Sequence, residues 1–300
     1  VYSGGMSGAM RHEYISGNWQ NTNLSATWTP DYSGDLFVNG DDVYFVSGRD
    51  LTLVGREYKL WKNDTAIWSL VAPDESSNRI MIAGGDGRND GTTRMYVYTQ
   101  EGDIYEFSPD GSSWTANNIY NGSSIAGTLQ IYLGDGRNDG VNRLYFYNSS
   151  STQISEYTYS DGSWSNTATI TAGHAMNKMT FGDGRNDGTS RIYYSSGTSL
   201  YEISYYPYID GNWVERTAGT DSGATLGEIV IGDGRNDSVN RIYVTNSSES
   251  TIDEFTYTGG TPTVHTSAAT QIDGGENFSE WTSFLSAQTV PENTSLSFRF

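Results

Sequence analysis

Apolar and polar residues alternate along most of this chain in short runs rich in Tyr, Phe, Trp, Val and Ile and bounded by Gly, Asn, Asp and Ser. A period of two with aromatic and β-branched enrichment predicts strands, and no amphipathic helical stretch interrupts the pattern. The runs also recur. Gly-Asp-Gly-Arg-Asn-Asp begins at Gly85, Gly134, Gly182 and Gly232, at intervals of 49, 48 and 50 residues, and a degraded copy, Asn39-Gly40-Asp41-Asp42, precedes them. Each copy follows a short apolar run: Leu36–Val38, Ile80–Ile82, Gln130–Leu133, Lys178–Phe181 and Ile229–Ile231. After the full copies comes an Arg-led run (Arg94–Tyr98, Arg143–Tyr147, Arg191–Tyr194, Arg241–Val244), then one centred on a glutamate (Glu106, Glu156, Glu202, Glu254). A run led by tryptophan closes most units (Trp114, Trp164, Trp213). The degraded unit has its own Glu57 and Trp68, and His12–Trp19 matches the end of a unit through Glu13 and Trp19.

Four antiparallel strands in a repeat of about 48 residues is the arithmetic of a β-propeller blade. The expected fold is therefore an all-β propeller of six four-stranded blades, rather than seven, in one domain spanning 1–300. Blades fall at 35–78, 79–127, 128–176, 177–226 and 227–275, with 1–34 supplying the last two strands of a sixth. Two strand-like runs in 276–300, Glu280–Leu285 and Leu296–Phe300, are expected to complete that sixth blade, or to exchange into a neighbouring molecule. Closure of this kind removes free sheet edges.

The strand, Asp-x-x-x-Asp-Gly loop and strand, over roughly 35–260, resemble the FG-GAP or integrin-α-like (VCBS-type) propeller repeats. In that family the loop often binds calcium through oxygens at loop positions one, three, five and nine, because a hard cation takes several oxygen ligands at a tight turn. Positions one and five match here as Asp86 and Asp90, Asp135 and Asp139, Asp183 and Asp187, and Asp233 and Asp237. Positions three and nine are instead arginines: Arg88 and Arg94, Arg137 and Arg143, Arg185 and Arg191, and Arg235 and Arg241. A guanidinium cannot ligate a cation and repels it. The favoured reading is that arginine replaces calcium by pairing with the aspartates and capping loop carbonyls; calcium with the arginines swung outward is the alternative. No cofactor and no metal centre is otherwise expected.

Composition narrows the function. The 300 residues carry 17 basic against 36 acidic side chains, a formal charge of −19, and no cysteine. Acidity of that degree excludes nucleic acid, whose binding rests on Lys and Arg neutralising phosphate. It also disfavours anionic membranes, and no apolar run is long enough for a membrane-spanning helix. Absent cysteine removes disulfides, thiolate metal sites and a cysteine nucleophile. The only histidines, His12, His174 and His265, do not follow the repeat and have no evident triad partner. Glutamates recurring once per blade read as partners for the arginines rather than as the paired carboxylates of glycoside chemistry. The tryptophans read as wedges between blades or, alternatively, as stacking platforms for sugars.

Eight Asn-x-Ser/Thr sequons (Asn23, Asn63, Asn121, Asn148, Asn236, Asn246, Asn277 and Asn293) are candidate N-glycosylation sites, a weak excess over chance, with Asn148 and Asn246 expected at exposed turns. Gly, Tyr, Ser, Thr and Asn abundance with scarce Lys is typical of extracellular all-β proteins. A chain beginning at Val1 reads as processed or excised, its export signal out of view. The expected function is thus a non-catalytic, extracellular structural or adhesive propeller, a surface-fibre subunit that associates with itself or with other surface proteins. A multivalent carbohydrate-binding lectin is the alternative, and a polysaccharide lyase or hydrolase ranks last.

Overall fold

The computed structural model describes residues 2–5, 8–15, 18–23, 32–39, 42–51, 55–63, 65–72, 80–111, 113–122, 129–148, 152–206, 212–223, 225–257 and 263–267. The expected closing strands in 276–300 and the sequons Asn277 and Asn293 lie outside them, as do the side chains of Glu13, Trp19, Asn23 and Asn148.

All regular structure among the described residues is antiparallel strand, and the fold is a β-propeller built of small sheets. The first sheet joins β1 (Tyr2–Gly5), β2 (Gly8–Ile15) and β3 (Asn18–Asn23). It holds one strand more than the two expected from 1–34, because Tyr2–Gly5 pairs with the start of β2. Five four-stranded blades follow in chain order. They are β4 to β7 (Tyr32–Asn39, Asp42–Leu51, Gly55–Lys62, Thr65–Ala72) and β8 to β11 (Ile80–Gly85, Arg94–Thr99, Ile104–Asp110, Ser113–Tyr120). Next come β12 to β15 (Leu129–Gly134, Arg143–Asn148, Gln153–Ser160, Ser163–Thr171) and β16 to β19 (Lys178–Gly182, Arg191–Ser196, Ser199–Tyr206, Asn212–Thr220). The last is β20 to β23 (Leu226–Gly232, Arg241–Asn246, Thr251–Thr256, Thr263–Ser267). The chain divides into two compact units, Val1–Ala175 and Met176–Phe300.

The second strand of each blade is its most buried: Arg94–Thr99 is buried along its whole length, as is Arg191–Ser195 of β17. Burial on both faces explains why these strands read as near-continuous aromatic and aliphatic runs rather than strict alternation. In the first unit, Tyr44, Leu60, Ile82, Val97 and Phe107 form one cluster between successive blades, with Trp68 packed edge-on against Phe107 at 5.0 Å. Leu129, Ile131, Leu144 and Phe146 join Tyr96 and Tyr98 in the next. In the second unit Tyr193, Leu200, Leu226, Ile242, Val244 and Phe255 do the same. The tryptophan-led strand contributes a blade-to-blade wedge, which gives the repeat its aromatic content a packing reason.

Candidate functional site

The repeated loop is organised by its own side chains. Asp86 accepts the backbone N–H groups of Asp90 and Gly91 at 2.9 and 2.7 Å, and Asp90 accepts that of Thr92 at 3.0 Å. The same bonds recur from Asp135, Asp183 and Asp233. Two residues of the loop, Asn89 and Gly91 on either side of Asp90, sit in the left-handed region with φ of 59° and 82°. Asparagine and glycine are the residues that tolerate it. In the fourth copy Ser238, φ 66°, takes the glycine's place.

The two arginines of each loop have different partners. The second grips the loop: Arg94 donates from Nη1 and Nη2 to both oxygens of Asp90 at 2.8 Å and from Nη1 to the Thr92 carbonyl at 3.2 Å. Arg143, Arg191 and Arg241 repeat that fork on Asp139, Asp187 and Asp237. Hydrogen bonding to the arginine holds Asp90, Asp139 and Asp237 below the usual carboxylate range, and Asp187 at about 2. The first arginine leaves the loop altogether. Arg88, Arg137, Arg185 and Arg235 reach the blade's central glutamate, Glu106, Glu156, Glu202 and Glu254, through Nε and Nη2. The expected pairing of both arginines with loop aspartates is thus corrected for the first: its side chain is directed to the blade. Gly87, Gly184 and Gly234 are required there, since a Cβ would fall within 3.0 Å of the ring tips of Tyr96, Tyr193 and Tyr243. Among the described residues no group of three or more His, Cys, Asp or Glu could hold a metal ion.

The Arg–Glu pairs differ in what lies over them. In the first unit, the indole N–H of Trp164 donates to Glu106 at 3.0 Å, with its ring edge-on to Tyr96 at 5.6 Å. Arg88 Nη1 donates to the Tyr159 hydroxyl at 3.1 Å, and the guanidinium lies 4.4 Å from the Tyr159 ring centre. The pair is sealed. In the second unit Tyr257 stands where Tyr159 does, 4.7 Å from the Arg185 guanidinium, but 258–267 contain no tryptophan. Here a cavity of 390 Å³ is present, lined by Arg185, Glu202, Arg216, Tyr257, Phe255 and Ile242 among others. Arg185 bonds Glu202 through Nε and Nη2, both at 2.7 Å, and its Nη1 has no hydrogen bond among the described residues. Arg216 lies across the strand pair from Glu202, three residues after Trp213; the same offset holds Thr167 after Trp164, whose hydroxyl donates to Glu156 at 2.7 Å. Ile242, Phe255 and Ala218 supply an apolar floor.

Sequence reasoning treated the copies as equivalent and missed this site. Its signals were the missing tryptophan after Tyr257 and Arg216 in place of threonine. The sequons are corrected in one respect. Asn246 is 1% exposed, its amide nitrogen donating to Asp253 at 3.1 Å and its oxygen accepting from Ser248 and Glu249 N–H, so it does not occupy the exposed turn position expected of it. Asn63 is half-buried, its oxygen accepting from the Val43 N–H at 2.9 Å; Asn121 and Asn236 are exposed. Residues 149–151, beside Asn148, lie outside the described residues. Among the described residues no helix is long and apolar enough to cross a membrane.

No protein-family model and no curated protein sequence matches the chain. Solved structures do. A protein from Lactobacillus plantarum is 17% identical, with a TM-score of 0.59 over 86% of this chain and 77% of that one. A putative 6-phosphogluconolactonase from Bacteroides uniformis is 13% identical, TM-score 0.52, over 87% and 77%. The Aleuria aurantia lectin in complex with Fucα1-6GlcNAc is 14% identical, TM-score 0.46, over 86% and 87%. At these identities the likeness shows the propeller fold. The expectation that the chain is not an enzyme is overturned by the second match, a propeller of this fold named for an enzyme. Its ground was that repeat symmetry leaves no unique site, and the cavity at Glu202 breaks that symmetry.

Proposed function

We propose that this protein recognises carbohydrate, and that the cavity between β16–β19 and β20–β23 is its binding site. The observation that carries the reading is the cavity at the Arg185–Glu202 pair, where Arg185 keeps Nη1 without a hydrogen bond among the described residues. Glu202 fixes the guanidinium through Nε and Nη2, which orients it without using Nη1, and Arg185 lines a cavity with an apolar floor. A pyranose presents one C–H face and a rim of hydroxyls; it needs an apolar surface beside rigid polar groups. The volume of 390 Å³ suits one or two sugar rings, within the range of about 300–1,000 Å³ typical of ligand sites. The four Arg–Glu pairs in 79–275 are alike, and the one at Glu202 differs from that at Glu156 in carrying Arg216 where Thr167 stands, beside this cavity. The structural or adhesive reading rests on the regular blades and the acidic, lysine-poor composition, and its strand-exchange step turns on 276–300, which lie outside the described residues.

A glycan array followed by calorimetry on its best ligand tests the reading. Tyr257→Ala and Glu202→Gln are expected to weaken the best ligand at least tenfold, with Glu106→Gln leaving it unchanged. An array without hits, or equal loss from Glu106→Gln, would overturn it.

A further inference from the structure

Resting on the carbohydrate reading of the same cavity, the charge of its lining defines the ligand class more narrowly: we propose that the site takes an anionic saccharide, one bearing a carboxylate or a sulfate, with Arg216 as its counter-charge. The balance around the cavity is uneven. Arg185 is matched by Glu202, at 2.7 Å through two nitrogens. Arg191 approaches Glu202 at 3.6 Å, but its own fork is closed on Asp187 at 2.7 and 2.8 Å. Arg216 makes no ion pair among the described residues; its one described contact is with the Tyr206 ring, 5.7 Å from the guanidinium carbon. The adjacent Glu215 accepts the Tyr194 hydroxyl at 2.6 Å instead.

One positive charge is therefore left over at the cavity, in a chain whose total is −19. That contrast is informative. The corresponding positions in the first unit hold Asn117 and Thr167, which are neutral, so an arginine is not demanded by the blade. Thr167 satisfies Glu156 by a hydroxyl bond, whereas Arg216 lies exposed beside a glutamate already doubly bonded by Arg185. A guanidinium in such a place offers a planar pair of donors for a carboxylate or sulfate. The surrounding acidity repels simple anions at long range and leaves the local fork to select those that also fill the apolar floor.

The test is calorimetry with matched probes: methyl glucuronide and methyl galacturonide, galactose 6-sulfate, and the neutral methyl glucoside and methyl galactoside. At least one anionic probe is expected to bind ten or more times tighter than its neutral counterpart, and the ratio to shrink with added salt. Arg216→Gln is expected to bring that ratio within twofold of one by weakening the anionic probe at least fivefold more than its neutral counterpart. Carboxylate and sulfate arms separate the two anion sources. Equal or tighter binding of the neutral sugars, or an equal effect of Arg216→Gln on both classes, overturns the anionic assignment and leaves the carbohydrate reading standing. Absence of binding by every probe, with an empty glycan array, overturns both.

Discussion

Substituting Glu156 by alanine removes a carboxylate with no exposed surface and four donors: Arg137 Nε at 3.0 Å and Nη2, the Tyr145 hydroxyl at 3.0 Å and the Thr167 hydroxyl at 2.7 Å. Breaking a buried ion pair by deleting one partner costs about 3–5 kcal/mol, because the other charge keeps its desolvation penalty. The Tyr145 hydroxyl, itself buried, adds part of the roughly 1–3 kcal/mol that an unsatisfied buried donor costs. These costs overlap, so the net expectation is about 4–5 kcal/mol. A domain is stable by only about 5–15 kcal/mol. The control is Lys62→Ala, which removes a 2.8 Å pair with Asp42 whose side chains are 35% and 36% exposed. Exposed pairs of that kind contribute up to about 1 kcal/mol. Urea denaturation followed by tryptophan fluorescence reads both as midpoint shifts at a common slope. A second variant, Glu156→Leu with Arg137→Leu, removes both charges and is expected to recover part of the loss, the hydroxyls of Tyr145 and Thr167 keeping it from full recovery. If Glu156→Ala shifts the midpoint no more than Lys62→Ala, the central Arg–Glu tie does not hold the blade.

Further outcomes follow from the same geometry. Asp187, held at about 2 by Arg191, is depressed from its unfolded value, as are Asp90, Asp139 and Asp237. Their contribution is complete above about pH 4 and drains as pH falls through the folded value, so melting temperature should drop steeply between pH 4 and 2; a flat acid limb contradicts the loop pairing. Burial raises the phenols of Tyr96, Tyr145 and Tyr193, so stability should also fall above about pH 10, where the unfolded tyrosines ionise and the folded ones do not. Calcium or a chelator should leave the thermal transition in place, since the loop aspartates are bonded to backbone N–H groups and arginine; a rise of many degrees with calcium refutes that. Trp164→Ala should cost about 3 kcal/mol and open a second cavity at Glu106, adding one bound sugar per chain; unchanged stoichiometry would show that the indole is not the plug.

The blades were legible because three signals agree in phase: the loop motif, the arginine that starts the second strand, and the glutamate in the third. Repetition makes each strand assignment four times over. The loops were half legible. Spacing places Arg88 and Arg94 in one motif, yet only the backbone path shows that the former points to Glu106 and the latter to Asp90. Asn246 reads as a turn residue, and nothing in its sequence neighbourhood announces that Asp253 draws it inward. The cavity at Glu202 was least legible, because it arises from a departure: a tryptophan that one blade has and another lacks, beside Arg216. Repeat reasoning averages over such departures, and function resides in them.

The most direct test of the carbohydrate site is a crystal structure of the protein soaked with the tightest-binding saccharide. The account predicts one sugar ring in the cavity over Ile242 and Phe255, a hydroxyl within 3.2 Å of Arg185 Nη1, and the acidic group against Arg216. Density at another place on the chain, with this cavity empty, would contradict it.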